Sequence, residues 1–364
     1  MNPHSLILIG PTPPPAFGTA TLTPVLLDVL DRRGLLAAHL DTRDPRPLDR
    51  LARFDLENLS LGLRHTWALA GLLRRHPGAD VMVPISQGRW GFLRDALWVH
   101  LAKAAGRRAF VHVNGGRMGD FFAASSPPMR LLIAATLRRA DGLWALTPAL
   151  RPILERIVPG KPVDLLPNAV PDPGPSGAPR RAPAGSLRVL FLSNLRPGKG
   201  HRELVEAVAL LGESARGWTV RLVGEVPSDV RSELLELARK RCAADVEVPG
   251  PLLDDAKWRE LGEADVFVLP TSYPNEGQPL SVLEAMATGL PVIATRYRGL
   301  PDTIADGSEG VLIDRPDPEL IAAALLELSG DPERRRRLGA AARDRYERDF
   351  SPERFGERLA ELIA

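Results

Sequence analysis

Two glutamates, Glu276 and Glu284, lie eight positions apart in the stretch NEGQPLSVLEAMATGLPVIAT, residues 275–295. The apolar run VFVLP just before them predicts a strand. Pro279 suits the first turn of a helix, where the missing N–H of proline costs nothing. We therefore predict a helix that starts near Gln278. Glu284 would then lie about 9 Å along the helix axis, at ~1.5 Å per residue.

This predicted helix start offers a site for an elongated anion. Its first backbone N–H groups have no partner within the helix, and the positive end of the helix dipole favours a diphosphate. The turn Gly277-Gln278-Pro279 has no bulky branched side chain that would block approach. Each carboxylate could accept hydrogen bonds from two neighbouring hydroxyls. A ligand with a sugar, a diphosphate and a ribose in a row would use all three parts, whereas a solvated capping glutamate and an ordinary helical one are the alternative.

The stretch resembles the signature of GT-B glycosyltransferases of glycosyltransferase family four, the retaining, group 1 type, whose two glutamates are separated by seven residues. The resemblance implies that Glu276 contacts the hydroxyls of the donor sugar and that Glu284 contacts the ribose. It also implies that the backbone amides of Leu280 and Ser281 hold the diphosphate. The resemblance covers most of residues 188–364, but in the first half it extends only to the architecture and the glycine-containing loops.

Length and composition favour a globular protein with two domains. The chain has 364 residues, 44% of them apolar, which is enough for two separate cores. A single cysteine, Cys242, excludes an internal disulfide, so we expect a cytoplasmic setting. The first residues lack the features of a signal peptide, and no apolar run reaches the ~20 residues that span a bilayer. The histidines are scattered and no Asp-x-Asp triplet occurs, so we expect neither a metal nor a cofactor.

Charge is divided unevenly along the chain. Residues 1–170 hold 21 Lys and Arg against 13 Asp and Glu, and the remainder holds 26 against 32. The basic first half is explained by a solvated arginine-rich surface, or by attraction to an anionic acceptor or to the inner face of a membrane. The apolar residues Phe121, Phe122 and Met129 favour core packing over membrane contact. No basic stretch is interleaved with stacking aromatics, so nucleic acid is not an expected partner.

Strand-like apolar runs alternate with helical stretches in two series, which indicates an α/β fold. The first series comprises residues 5–10, 35–40, 81–85, 109–113, 143–146 and 163–167, and the second comprises residues 188–194, 220–225, 246–250, 266–270, 292–295 and 310–313. Proline, glycine and small residues dominate residues 171–186, which we interpret as an interdomain linker.

We therefore predict a GT-B fold, with two doubly wound, Rossmann-like domains that face a central cleft. Residues 1–170 would bind the acceptor, and residues 187–349 would bind the nucleotide sugar. Residues 350–364 predict an amphipathic helix, because apolar residues recur at helical spacing after a Ser-Pro start. The resemblance implies that this final helix crosses back to the first domain.

The loop after the first strand places Phe17, Gly18 and Thr19 at the mouth of a helix that would run to about Arg33. Gly18 permits close approach of a ligand to the backbone. The absence of GxGxxG counts against a nicotinamide or flavin site, and a proline-rich connection without a ligand is the alternative. The resemblance implies that this loop reaches over the donor diphosphate and the acceptor, with Gly18 on the donor side and Phe17 and Thr19 on the acceptor side.

The run AFVHVNGGRM leads from a predicted strand through His112 and Asn114 into Gly115 and Gly116. Many relatives carry His-x-His-Gly here, and the histidine before the glycine approaches the donor sugar. Because Asn114 occupies that place in this chain, we predict the contact for either His112 or Asn114. Gly115 and Gly116 are predicted on the acceptor side. A histidine that satisfies a local hydrogen bond is the alternative interpretation.

The run FLSNLRPGKGHRELVEA carries Arg196 and Lys199 on a turn between a strand and a helix. Cations here could offset the negative charge that builds up on a leaving diphosphate. The commoner family pattern is Gly-Arg-Leu followed by Lys-Gly. This chain retains Lys199-Gly200 and has Asn194 in the place of the arginine, so we predict that Arg196 and Lys199 share the phosphate role. Solvated turn cations are the alternative.

A second glycine-containing turn, VGEVPSD, follows a strand of the second series. The resemblance places its Gly224 and Glu225 at the edge of the cleft, where relatives hold the nucleotide, and it assigns Asn194 to the same donor site. An ordinary turn between a strand and a loop is the alternative.

The function predicted from these patterns is transfer of a hexose from a UDP- or GDP-sugar to the hydroxyl of a sugar, lipid-linked or small-molecule acceptor. It would serve cell-envelope glycan, glycolipid or natural-product biosynthesis. Retention is implied by the resemblance. No residue stands out as a covalent nucleophile, so the working hypothesis is a same-face route in which the leaving phosphate assists the acceptor hydroxyl. A sugar-nucleotide epimerase and a catalytically silent nucleotide-sugar-binding protein of the same fold are the alternatives.

Overall fold

The computed structural model describes residues 5–14, 18–44, 46, 56–174 and 186–364. The described chain divides into two compact units. Unit 1 comprises the described part of Met1–Ala169 together with Pro352–Ala364, and unit 2 comprises that of Val170–Ser351. Most of the predicted linker, residues 175–185, lies outside the described residues. Among the described helices, none combines the length and apolar character that crossing a membrane requires.

Unit 1 alternates strands and helices, as the sequence predicts. In chain order its elements up to residue 165 are β1 (Leu6–Gly10), α1 (Gly18–Arg32), β2 (Leu36–Asp41), α2 (Leu56–Arg75), β3 (Asp80–Pro84), α3 (Arg89–Ala104), β4 (Ala109–Val113), α4 (Met118–Ala124), α5 (Pro127–Arg139), β5 (Gly142–Ala145), α6 (Arg151–Ile157) and β6 (Asp164–Leu165). The strands form one parallel sheet in the order β2-β1-β3-β4-β5-β6. The order reverses between β1 and β3, where doubly wound sheets open a crevice at the carboxyl ends of their strands.

Unit 2 repeats this plan with a different strand order. Its elements are β7 (Arg188–Leu192), α7 (His201–Leu211), β8 (Thr219–Val223), α8 (Ser228–Arg241), β9 (Asp245–Gly250), α9 (Asp254–Glu263), β10 (Val266–Leu269), α10 (Leu280–Ala287), β11 (Val292–Thr295), α11 (Leu300–Thr303), β12 (Gly310–Ile313), α12 (Pro318–Gly330) and α13 (Pro332–Asp349). The parallel sheet has the order β12-β11-β10-β7-β8-β9, so its reversal lies between β7 and β10.

The final helix, α14 (Pro352–Ile363), packs against α1 within unit 1. Its apolar face buries Phe355, Leu359 and Ile363. The guanidinium of Arg33 donates a hydrogen bond of 2.9 Å to the carbonyl of Glu353, at the start of the helix. Unit 1 is therefore built from two separate stretches of the chain.

Each unit has its own apolar core around its sheet. Helices cover both faces of a parallel sheet, so its strands are apolar along their whole length and do not alternate apolar and polar residues. Every predicted strand is present, with its bounds displaced by no more than two residues at either end. In unit 1, Phe121 is buried and Phe122 and Met129 pack against the same core, which confirms core packing for these residues. In unit 2, the hydroxyl of buried Tyr346 donates to the carbonyl of Val170 at 3.0 Å. The predicted two-domain Rossmann-like fold is confirmed.

Gly200 lets the loop after β7 approach the loop after β10. It lies at the N-cap of α7 in a left-handed conformation, with φ of 86°. A Cβ atom here would lie 2.2 Å from the carbonyl oxygen of Pro270, so no other residue fits without displacing the backbone. The close approach of these two loops brings together the polar residues that follow the two strands.

We expect Gly200→Ala to destabilise unit 2 by about 3 kcal/mol or more, because it combines left-handed strain with a backbone clash. Gly217→Ala is the matched control: Gly217 has φ of 82°, but a Cβ there would meet no atom within 4 Å. Its cost should stay near the ~1 kcal/mol of the strain alone. Urea unfolding of both variants measures the difference, and equal losses would contradict the clash.

Candidate functional site

The predicted donor residues of unit 2 follow β7, β8 and β10, which lie side by side in the sheet. Side-chain and backbone hydrogen bonds join the three loops. The side-chain oxygen of Asn194 accepts from the backbone N–H of Glu225 at 3.3 Å. The N–H of Ser272, after β10, donates to the carbonyl of Gly198 at 2.7 Å. The residues therefore share the carboxyl edge of the sheet where its strand order reverses, the usual ligand position in such folds.

An ion pair between Lys199 and Glu276 is at the centre of this edge. The ammonium Nζ of Lys199 lies 2.8 Å from Oε2 of Glu276, and the two side chains are only 13% and 7% exposed. The hydroxyl of Thr271 donates to the same oxygen at 2.9 Å. Lys199 Nζ also lies 4.6 Å from the ring centroid of Tyr273. Because these contacts engage Oε2, Oε1 of Glu276 is the oxygen to which a ligand hydroxyl could donate.

A second ion pair holds Glu284 inside α10. Lys257 on α9 donates from Nζ to Oε1 of Glu284 at 2.6 Å. Burial raises the pKa of the Glu284 carboxyl above its usual range, and the neighbouring Lys257 partly opposes this. Lys257 was not among the predicted site residues. It precedes Glu284 by 27 positions and has no local motif around it, so only the tertiary fold brings the two charges together.

The start of α10 differs from the prediction by two residues. The helix begins at Leu280, and Pro279 is its N-cap, with ψ of 124°, rather than a residue of the first turn. Glu284 therefore lies roughly 6 Å from the helix start, not about 9 Å. The N–H groups of Leu280 and Ser281 open the helix and have no acceptor within it. Residues 276–279, just before the helix, are buried.

The remaining predicted donor residues shape this edge. Arg196 is half-buried on the same turn as Lys199, and its carbonyl accepts from the Lys199 N–H at 3.0 Å. Gly224 is required by packing, because a Cβ there would lie 1.9 Å from the carbonyl oxygen of Ser193. Glu225 is exposed to solvent beside it.

In unit 1 the structure separates the two candidates on β4 and its following loop. His112 is fully buried within β4, and its Nε2 donates to the carbonyl of Leu166 at 2.8 Å. Burial lowers the pKa of His112 to about 4. Asn114 lies just after the strand, half-buried, and its side-chain oxygen Oδ1 finds no hydrogen-bond partner among the described residues. Asn114 therefore retains an acceptor for a ligand, whereas His112 is part of the core.

Of the predicted acceptor-side residues, the described ones, Thr19, Gly115 and Gly116, lie around the same edge of unit 1 as Asn114. Thr19 and Asn114 line one cavity of about 750 Å³. The loop containing Gly115 and Gly116 is held by Gln87, which donates from Nε2 to the Gly115 carbonyl at 2.8 Å. Gln87 was not predicted, although its position soon after β3 is a signal that could have been used. Gly18 begins α1, and Phe17 lies outside the described residues.

The family model described as glycosyl transferases group 1 matches residues 178–345. The chain is 29% identical to a GDP-mannose-dependent α-(1-6)-phosphatidylinositol monomannoside mannosyltransferase of Mycolicibacterium smegmatis, over 88% of this chain and 81% of that protein. It is 36% identical to a D-inositol 3-phosphate glycosyltransferase of Thermomonospora curvata, over 50% of this chain and 43% of that protein. The chain spans only 44–47% of the length of the first curated relatives that it matches.

Among solved structures, the chain is similar to the sucrose-phosphate synthase of Thermosynechococcus elongatus, with a TM-score of 0.76 and 21% identity. That similarity covers 99% of this chain and 98% of the other, and at this identity it shows the fold alone. The chain is thus similar to glycosyltransferases, and its residues 178–345 match the group 1 model. The fold with two Rossmann-like units agrees with them.

Removal of Lys257 should leave an uncompensated buried charge. We expect Lys257→Met to destabilise unit 2 by about 3–5 kcal/mol at pH 8, because Glu284 would lose its partner. The raised pKa of Glu284 lets it take up a proton more easily than in the unfolded chain, so the loss should shrink as the pH falls towards 5. Urea unfolding at both pH values measures this. The double variant Lys257→Met/Glu284→Gln should recover most of the stability, and a double variant as unstable as the single one would contradict the pair.

The buried His112 should make unit 1 less stable in acid. Its pKa lies below that of a histidine in the unfolded chain, so the unfolded state binds the proton first as the pH falls from about 6.5 to about 4. We expect His112→Gln, whose amide can still donate to Leu166, to remove about 3 kcal/mol of that acid-dependent loss. Unfolding curves at pH 7 and pH 4 test this, with His76→Gln as the control. If the free energy of unfolding fell as much between pH 7 and pH 4 in His112→Gln as in the unaltered protein, the prediction would be contradicted.

Proposed function

We propose that the protein is a retaining glycosyltransferase that moves a hexose from a UDP- or GDP-linked donor to an acceptor hydroxyl. The observation that carries this proposal is the buried ion pair of Lys199 and Glu276, 2.8 Å apart, at the strand reversal of unit 2. Glu276 lies four residues before the start of α10, so a sugar and a diphosphate can be bound by adjacent groups. The M. smegmatis relative, which is GDP-mannose-dependent by name, supports a nucleotide-sugar donor.

Each part of the donor has a chemically suitable partner in unit 2. Glu276 would accept hydrogen bonds from the sugar hydroxyls through its Oε1. The first N–H groups of α10, from Leu280 and Ser281, would donate to the diphosphate, together with the ammonium of Lys199. Glu284 would accept from the ribose hydroxyls, with Lys257 offsetting the cost of keeping its carboxylate charged in a buried place.

The remaining predicted donor residues would complete the nucleotide side. Arg196 lies on the turn of Lys199 and would add a second cation for the diphosphate. Asn194 and Gly224 join the loops after β7 and β8 and would shape the edge beside the nucleotide, with Glu225 at its exposed rim. In unit 1 we assign ligand contact to Asn114 rather than to His112. Asn114 lies just after β4 with an unused acceptor, whereas His112, whose Nδ1 also lacks a partner among the described residues, is fully buried within the strand.

The proposed reaction breaks the bond from the anomeric carbon to the diphosphate oxygen and forms a bond to the acceptor oxygen on the same face of the sugar. The proton of the acceptor hydroxyl passes to the departing phosphate oxygen. Negative charge develops on the diphosphate, and Lys199, Arg196 and the start of α10 would stabilise it without a metal ion. We propose cytoplasmic action on a sugar, lipid-linked or small-molecule acceptor in glycan, glycolipid or natural-product synthesis.

We expect Lys199→Met to lower kcat/KM for the donor by roughly 100- to 1,000-fold, because it removes a cation aimed at the leaving group.

A panel of UDP-, GDP- and dTDP-sugars scored by thermal shift identifies the donor, since a bound donor stabilises the folded state. Release of the nucleoside diphosphate, with and without acceptor, then measures turnover, and NMR of the product reports the anomeric configuration.

Lys240→Met is the matched control, because Lys240 forms an exposed ion pair with Glu236 on α8, and it should leave turnover within about twofold. The double variant Lys199→Met/Glu276→Gln removes the buried charge that the single variant leaves unpaired, so it should regain stability without regaining turnover. Normal turnover by Lys199→Met, or an inverted product, would sink the proposed mechanism.

A further inference from the structure

The cavity of about 750 Å³ in unit 1 lies where the strand order of that sheet reverses. Ile9 and Pro11 border it at the end of β1, and Pro84 and Ile85 border it at the end of β3. In doubly wound sheets this is the position at which ligands bind. The volume falls within the range of about 300–1,000 Å³ that is typical of small-molecule sites. The placement therefore matches that of the donor residues in the other unit.

One wall of the cavity is apolar and open to solvent. Helices α2 and α3 contribute Leu59, Leu63, Trp90 and Leu97, whose exposed fractions lie between 46% and 53%. In a globular protein, large apolar side chains normally point into the core. A cluster of half-exposed ones therefore marks a surface for an apolar ligand or partner. All four residues line the same cavity, whose lining also includes Arg89 and Arg94 of α3.

The apolar wall continues along α2 beyond the cavity. Leu56 and Trp67, exposed by 84% and 74%, lie three residues before Leu59 and four residues after Leu63. This spacing keeps all four on one face of the helix. The face that α2 buries is a different one, carried by Leu69, Leu72 and Leu73. A chain longer than the cavity could therefore continue along α2 on apolar surface.

The cavity also has polar lining residues. Thr19, Thr42, Ser86 and Asn114 line it at the carboxyl edge of the sheet. The Oδ1 atom of Asn114 is buried and has no hydrogen-bond partner in the described part of the chain. A buried acceptor of this kind is costly unless a partner reaches it, and a ligand hydroxyl is a suitable donor. The cavity thus joins one unused acceptor for a hydroxyl to an apolar wall.

We propose that this cavity binds the acceptor of the reaction and that the acceptor is an amphiphile. Its hydroxylated head would lie at Asn114, and a single alkyl or isoprenoid chain would lie against Leu59, Leu63, Trp90 and Leu97. The inference rests on the proposed function, since it names the class of acceptor that a glycosyltransferase of this chain would use. A free sugar would leave the apolar wall in contact with water.

Binding of n-alkyl β-maltosides to the full chain, below their micellar concentrations, tests the inference. Isothermal titration with hexyl, octyl and decyl chains should show affinity rising about fourfold per methylene, because each added methylene is removed from water. Leu63→Glu should weaken decyl maltoside at least tenfold. Leu131→Glu is the matched control, since Leu131 is 73% exposed on α5, outside the cavity, and it should leave the affinity unchanged. Affinity independent of chain length, or equal losses in the two variants, overturns the inference.

Vesicles of phosphatidylcholine and phosphatidylglycerol at 7:3 separate a chain-binding cavity from a membrane-contact surface. Vesicle binding that Leu63→Glu abolishes, without any chain-length series for the monomeric maltosides, would overturn the cavity in favour of a membrane surface. The donor panel keeps the two proposals distinct. Donor turnover without the chain-length series overturns this inference alone, whereas the chain-length series without donor binding overturns the proposed function and leaves only an amphiphile-binding cavity.

Discussion

The contact between the loops after β7 and β10 is the constraint on which the candidate site of unit 2 depends. The strand order reverses between these two strands, so their following segments leave towards opposite faces of the sheet and open a crevice between them. Gly200 allows the two loops to touch, and the N–H of Ser272 joins them through the Gly198 carbonyl. The ion pair of Lys199 and Glu276 forms as a consequence, because each loop places one of the two residues in the crevice.

Two buried ion pairs give this crevice its electrostatic character. The pairing of two charges out of water contributes little net stability, since desolvation offsets most of the attraction. A role in ligand binding therefore explains the pairs Lys199–Glu276 and Lys257–Glu284 better than a contribution to stability does. Each carboxylate is oriented by its lysine before any ligand arrives, so little reorganisation is needed on binding. A diphosphate would add negative charge where Arg196 and the start of α10 add positive charge.

The sequence predicts the strands well because they depend on local patterns. Continuous apolar runs specify buried parallel strands, and glycine turns mark their ends. Pro279 shows where local information ends: its φ of −63° suits both the N-cap and the first turn of α10, and the packing of the whole segment decides between them. The two-residue error in the helix start comes from that ambiguity.

Residues that depend on tertiary packing could not be predicted in this way. Lys257 meets Glu284 only because the tertiary fold places the two side chains within reach, and the carbonyl that fixes His112 comes from Leu166, 54 positions away. The apolar residues of α2 illustrate the same limit. Periodicity shows that a helix has an apolar face, but it does not show that Leu59 and Leu63 stay half exposed while Leu69 is buried.

The position of α14 has a consequence for the order in which the protein forms during synthesis. Unit 2 is a single uninterrupted stretch inserted into unit 1, whose last helix is encoded after it. On the ribosome, all of unit 2 is synthesised before the residues of α14 that cover α1. The apolar side of α1 that packs against α14, the helix of Phe355 and Leu359, therefore stays uncovered while the whole of unit 2 is translated. Unit 1 is thus the first unit to be started and the last to be completed.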